Sequence, residues 1–66
     1  MRIEIDREKD GRWIAEVPEL PGVLVYGTTE AEARHKAIVL SLRVIADRLE
    51  AGDPVPFDRD AFFAAE

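Results

Sequence analysis

Asp6 and Glu16 have the clearest means to do chemistry in this sequence, because carboxylates on neighbouring strands can hold the divalent ions of a metal-dependent nuclease. Such a centre also needs a third carboxylate at a defined distance and a basic surface for its substrate, and neither is read around this pair. Hairpins often gather acids on a solvated face without any metal. Nucleophilic catalysis has still less to draw on. The chain has no cysteine, and its single serine, Ser41, falls mid-helix in an apolar arc, where a hydroxyl bonds to the preceding carbonyl. His35 is the single histidine, placed at the edge of a polar strip, and reads as a surface residue rather than a general base. One imidazole and no thiolate leave zinc without a tetrahedral ligand set. Gly11, Gly22, Gly27 and Gly52 are scattered at turns and caps instead of forming a phosphate loop. Trp13 and Tyr26 could stack on a base, but Arg12 is the only cation close to them on their segments, and core packing accounts for both rings better. The expectation is a protein that is not an enzyme, with no catalytic residue, metal or cofactor.

The elements that position these residues follow from local patterning. Arg2 to Arg7 alternates, with Ile3 and Ile5 on one face, and predicts a half-buried strand. An Asp10-Gly11 turn leads to a second strand over Arg12 to Val17, completing a β-hairpin. Pro18-Glu19-Leu20-Pro21-Gly22 forms a rigid corner, since each proline fixes φ and removes a donor. Val23 to Tyr26 follows as a third strand, apolar on both faces and ending at Gly27. Thr29 with Glu32 has capping-box spacing, and a helix is expected from about Glu30 to Ala51. Gly52 then supplies the left-handed stop, and Pro54 and Pro56 prevent resumption.

That helix carries two apolar stripes: Ala33, Ala37, Leu40 and Val44, beside Ile38, Leu42, Ile45 and Leu49. Together they are wider than one sheet covers. The alanine stripe is expected on the sheet, leaving Ile38, Leu42, Ile45 and Leu49 as the candidate oligomer interface. In the alternative, the tail folds back over the second stripe. The Ala61 to Ala65 run is read as a short fourth strand returning beside the first. The expected fold is α+β, of β-β-β-α-β order: a three-stranded antiparallel meander with one helix on one face, in a single domain over residues 1–66.

Length and charge narrow the functional classes. The chain has 66 residues, no cysteine and a net charge of −5, so it needs unusually good packing or association with other chains in place of disulfides. No apolar run approaches the roughly 20 residues of a membrane span, and the charged start does not read as a signal peptide. The expectation is a cytoplasmic protein. Residues 1–27 carry −2, the helix is neutral and residues 52–66 carry −3. This balance disfavours direct nucleic-acid binding, where affinity comes from neutralising phosphates, and suits a basic protein partner.

Gly11 to Gly22, followed by Tyr26-Gly27-Thr28-Thr29, the Glu32-Ala33 helix start, Leu42 to Leu49, Pro54-Val55-Pro56 and the closing Phe62-Phe63-Ala64-Ala65, resembles the HicB-like antitoxin family over nearly the whole chain. The resemblance implies a partial RNase-H-like domain without nuclease activity that forms a homo-oligomer, dimer or tetramer. It also implies binding and neutralisation of a small basic HicA-like mRNA interferase toxin. Many members carry a DNA-binding helix-turn-helix or ribbon-helix-helix as well; a stand-alone form is expected here. Glu16, Glu19 and Leu20 are the candidate partner contacts, although the Pro18 to Gly22 corner also reads as structural punctuation. The alternatives are a solitary oligomeric interaction or scaffold domain without a toxin, and a metal-dependent nuclease relic using Asp6 and Glu16.

Overall fold

A computed structural model describes residues 1–63. Strands β1 (Glu4–Arg7), β2 (Trp13–Glu16) and β3 (Leu24–Gly27) form an antiparallel sheet in the order β1-β2-β3, crossed on one face by helix α1 (Glu30–Ala51). The three-stranded meander and the helix agree with the expected α+β arrangement. Ala15 pairs with both Ile5 and Val25, and alternation turns these residues toward the helix. The Gly11 turn has φ 92°, and Asp10 accepts hydrogen bonds from the Arg12 backbone N–H at 3.1 Å and from Arg12 Nε at 2.8 Å.

Local chemistry sets both ends of α1. Thr29 Oγ1 accepts from the Glu32 N–H at 3.0 Å. The Glu32 carboxylate reaches one residue further back than a capping box requires: it accepts from the Thr28 N–H at 3.1 Å and the Thr28 hydroxyl at 3.3 Å. Lys36 then ties the first turns to the sheet, pairing with Glu32 at 3.2 Å and donating to the Tyr26 carbonyl at 3.1 Å. At the other end Gly52 takes φ 76°, and the N–H of Asp53 reaches the Arg48 carbonyl at 2.8 Å.

The core has two parts. Ala15, Ala33 and Ala37 are fully buried where the helix lies closest to the sheet, with Ile5, Trp13 and Val25 around them. Val17, Leu20, Val23 and Ile45 form the other part, joined by Leu40, Val44, Leu49, Val55 and Phe57. The buried row on the helix is therefore Ala33, Ala37, Ser41 and Ile45. Four-residue spacing inclines that row to the helix axis, so it starts on the expected alanine stripe and ends on the neighbouring one. Ile45 consequently belongs to the chain's own core. Val55 and Phe57 cover part of the second stripe, which leaves Ile38 and Leu42 exposed.

The expected fourth strand is not seen among the described residues. Arg59–Phe62 form a short helix, α2, because the Asp58 carboxylate caps it by accepting from the N–H groups of Asp60 and Ala61 at 3.0 and 3.3 Å. That cap outweighs the strand preference of paired phenylalanines. Positions 64–65 of the expected strand lie outside the described residues. No helix among the described residues is long and apolar enough to cross a membrane.

Gly27 is required by contact rather than by φ. A Cβ there would sit 2.6 Å from the Ala33 backbone nitrogen and 3.1 Å from the Thr29 carbonyl oxygen. Gly27→Ala must push the helix start off β3, at a cost of roughly 1–3 kcal/mol for overpacking, to be checked by urea denaturation. Hydrogen bonds from the Thr28 backbone and from Lys36 hold the Glu32 carboxyl below its ordinary value of 4.5. Because the folded pKa is the lower one, this stabilisation is complete above pH 4.5 and is lost as pH falls through the folded value. Melting curves of Glu32→Gln should therefore lose part of the wild-type fall in Tm on acidification.

Candidate functional site

The sheet has one face under the helix and one open face. Ile3, Ile5, Trp13 and Val25 pack toward the helix alanines, so strand alternation turns Glu4, Asp6, Ile14, Glu16, Leu24 and Tyr26 outward. Register arranges them in rows: Glu4 faces Glu16, which faces Leu24, and Asp6 faces Ile14, which faces Tyr26. Leu24 is 47% and Tyr26 40% exposed. The Arg12 guanidinium lies over the Tyr26 ring, 4.5 Å from its centroid, and closes one end of the platform. An apolar patch of Ile14, Leu24 and Tyr26 thus lies beside the carboxylates of Glu4, Asp6 and Glu16.

Glu4 and Glu16 are directly opposite on this face. Like charges directly opposite in this way are destabilising to the sheet. Neither glutamate has an ion pair among the described residues. Asp6 is opposite Ile14 rather than Glu16, so the register sets the two candidate metal ligands diagonally. Among the described residues no group of three or more His, Asp or Glu side chains could hold a metal ion.

No family model, curated protein or solved structure matches this chain.

The expected partner contacts separate into different roles. Glu16 lies on the open face, as a docking residue must. Glu19 is exposed at the corner and accepts the Arg2 backbone N–H at 3.0 Å, a bond that lowers its pKa and fastens the N-terminal segment to the corner. Leu20 is corrected: it is 0% exposed and is the largest fully buried side chain. Consecutive turns create that position, with the Leu20 N–H donating to the Val17 carbonyl at 2.9 Å and the Val23 N–H to the Leu20 carbonyl at 3.0 Å. The corner folds its leucine inward as a plug between Val17, Val23 and Ile45.

Sequence reasoning put Glu4 on the charged face of the first strand without giving it a role, and read Tyr26 as core packing, whereas Tyr26 and Leu24 are exposed on the open face. The available signal was the alternation itself, since a hairpin that buries Ile5 and Ala15 must present Glu4 and Glu16 together. On the helix, His35 is exposed and lines a shallow groove with Val25, Lys36, Val39, Leu40 and Arg43. Ser41 is buried, and its Oγ has no hydrogen-bond partner. Leu20→Ala should cost about 2–5 kcal/mol in denaturant unfolding; a contact residue would leave stability near wild type.

Proposed function

We propose that this chain is a cytoplasmic, non-enzymatic, antitoxin-like module that uses the open face of its sheet to bind and mask a small basic protein, a HicA-like mRNA interferase. The observation that carries the reading is the Glu4–Glu16 pair. The fold gains nothing from holding two carboxylates opposite each other, whereas a lysine or arginine between them would turn the repulsion into two charge-assisted hydrogen bonds. Leu24, Tyr26 and Ile14 supply apolar area beside the charges, and an interface needs such area for affinity as well as charge for steering. Asp6 and Glu19 extend the acidic surface on either side. The resemblance to HicB-like antitoxins points to the same class of partner, and the strand and helix order through α1 is the one that resemblance implies.

Masking requires no chemistry from this chain. A basic interferase attracts RNA with the same cations that the carboxylates would occupy, so occupancy of that surface excludes the substrate by competition. Co-expression with the basic protein encoded by the neighbouring open reading frame should restore growth, and the two proteins should co-purify at low salt. Glu4→Lys with Glu16→Lys should weaken binding by tenfold or more, equivalent to about 1.4 kcal/mol, without lowering the Tm of the free chain. A neighbouring frame that encodes no small basic protein, together with capture of nothing basic from the host, rejects the antitoxin reading and leaves a solitary scaffold domain.

A further inference from the structure

The groove beside His35 lies between α1 and β3, the last strand of the sheet. Val25, Val39 and Leu40 give it an apolar lining, and His35, Lys36 and Arg43 are the polar residues along it. Among the described residues, no carboxylate and no side chain of β1 or β2 lines it. Its volume is about 390 Å³, within the roughly 300–1,000 Å³ of ordinary ligand sites. We propose that this groove binds a short acidic segment of another protein in extended conformation, with an apolar side chain placed between two carboxylates. The assignment is independent of the antitoxin reading, whose partner is basic and meets the open face of the sheet.

Charge identifies the occupant. A chain of net charge −5 gathers two cations and an imidazole here. Lys36 is held in place by Glu32 at 3.2 Å and by the Tyr26 carbonyl at 3.1 Å. An ammonium has three donors, so one is left for an incoming carboxylate. Arg43 has no ion pair among the described residues, and its guanidinium can grip a carboxylate through two parallel hydrogen bonds. The strand alongside suits the same ligand. β3 holds no acidic residue, whereas β1 carries Glu4 and Asp6 and β2 carries Glu16. An acidic segment therefore reaches this edge without the repulsion it would meet at β1.

Spacing gives the segment its pattern. Lys36 and Arg43 are separated by about 10.5 Å along the helix axis, with Val39 and Leu40 between them. In an extended chain every second side chain faces the same way, and four residues span about 13 Å. Acids at the first and fifth positions therefore bracket Lys36 and Arg43, and the third side chain falls over Val39 and Leu40. The outer edge of β3 has no neighbouring strand among the described residues, so the backbone of such a segment can add along it, as in other strand-addition modes of peptide recognition. A small free carboxylate or phosphate would satisfy one cation and leave both the apolar lining and the strand edge unused.

A fluorescein-labelled peptide with glutamate, leucine and glutamate at alternate positions, separated by threonines, should bind the wild-type chain saturably in fluorescence anisotropy at micromolar concentration. Exchanging both glutamates for glutamine, or the leucine for serine, should weaken binding about tenfold or more. Arg43→Glu, at an exposed position, should do the same while the helical circular dichroism is unchanged. In the amide NMR spectrum of the wild-type chain, the glutamate peptide should shift β3 together with residues 35–43. The peptide series and the spectrum use the wild-type chain, so they do not rest on the folding of a variant. Absence of saturable binding, equal affinity for the glutamine peptide, binding undiminished by Arg43→Glu, or shifts confined to the open sheet face would each overturn the proposal. Displacement of the peptide by an equal concentration of octanoate would also overturn it, by assigning the groove to a small amphipathic acid. None of these measurements involves a basic protein, so failure here is distinct from failure of the antitoxin reading.

Discussion

The fold depends on how closely α1 approaches the sheet. Gly27 ends β3 beneath the backbone of Ala33, and Ala15, Ala33 and Ala37 are stacked with no accessible surface between helix and strand. Larger residues at these positions would lift the helix and open a void along its length, because packed interiors do not deform smoothly. With the first turns seated, Lys36 reaches the Tyr26 carbonyl and the inclined contact row brings Ile45 down onto Val17, Leu20 and Val23. The contact between small residues thus positions the larger ones. This arrangement also leaves the opposite side of the sheet uncovered, so the acidic platform follows from a helix committed to one face.

Features governed by neighbours in sequence were legible from the residues alone. Thr29, Glu32 and Gly52 mark the ends of α1 because capping is a local exchange between side chains and backbone, and the bounds Glu30 and Ala51 agree with that reading. The hairpin follows from alternation around Asp10-Gly11. Features governed by distant geometry were less legible. Which stripe a helix buries depends on its crossing angle, and that is why Ile45 passed from candidate interface to core. Leu20 looked exposed because prolines and a glycine surround it, yet those residues make the turns that drive it inward. At the tail, two phenylalanines suggested a strand, but Asp58 satisfies the first N–H groups of α2, and a hydrogen-bonded cap prevails over propensity in so short a segment.

Net charge is partitioned along the chain rather than spread evenly. The helix carries no net charge, and the acids concentrate on the sheet and after Gly52. A uniform distribution of the same charge would make every encounter between copies and every encounter with a cation similar in character. Segregation lets one small domain offer two chemically distinct surfaces. Ser41 lies where the core meets the uncovered side of the helix: a buried hydroxyl without a partner in a row otherwise built of alanine and isoleucine.

The outer edge of β1 has no neighbouring strand among the described residues, and an open edge is a template on which chains polymerise. The side-chain sequence of β1 works against that outcome. In an antiparallel register that keeps both helices on one side of a joined sheet, Glu4 meets Asp6 or an identical glutamate, or Asp6 meets Asp6. Each alignment sets carboxylate against carboxylate at the distance where repulsion is strongest. The acids that equip the open face thereby also act as a guard against fibril growth, restraining a short, thinly covered sheet from extending into an endless one.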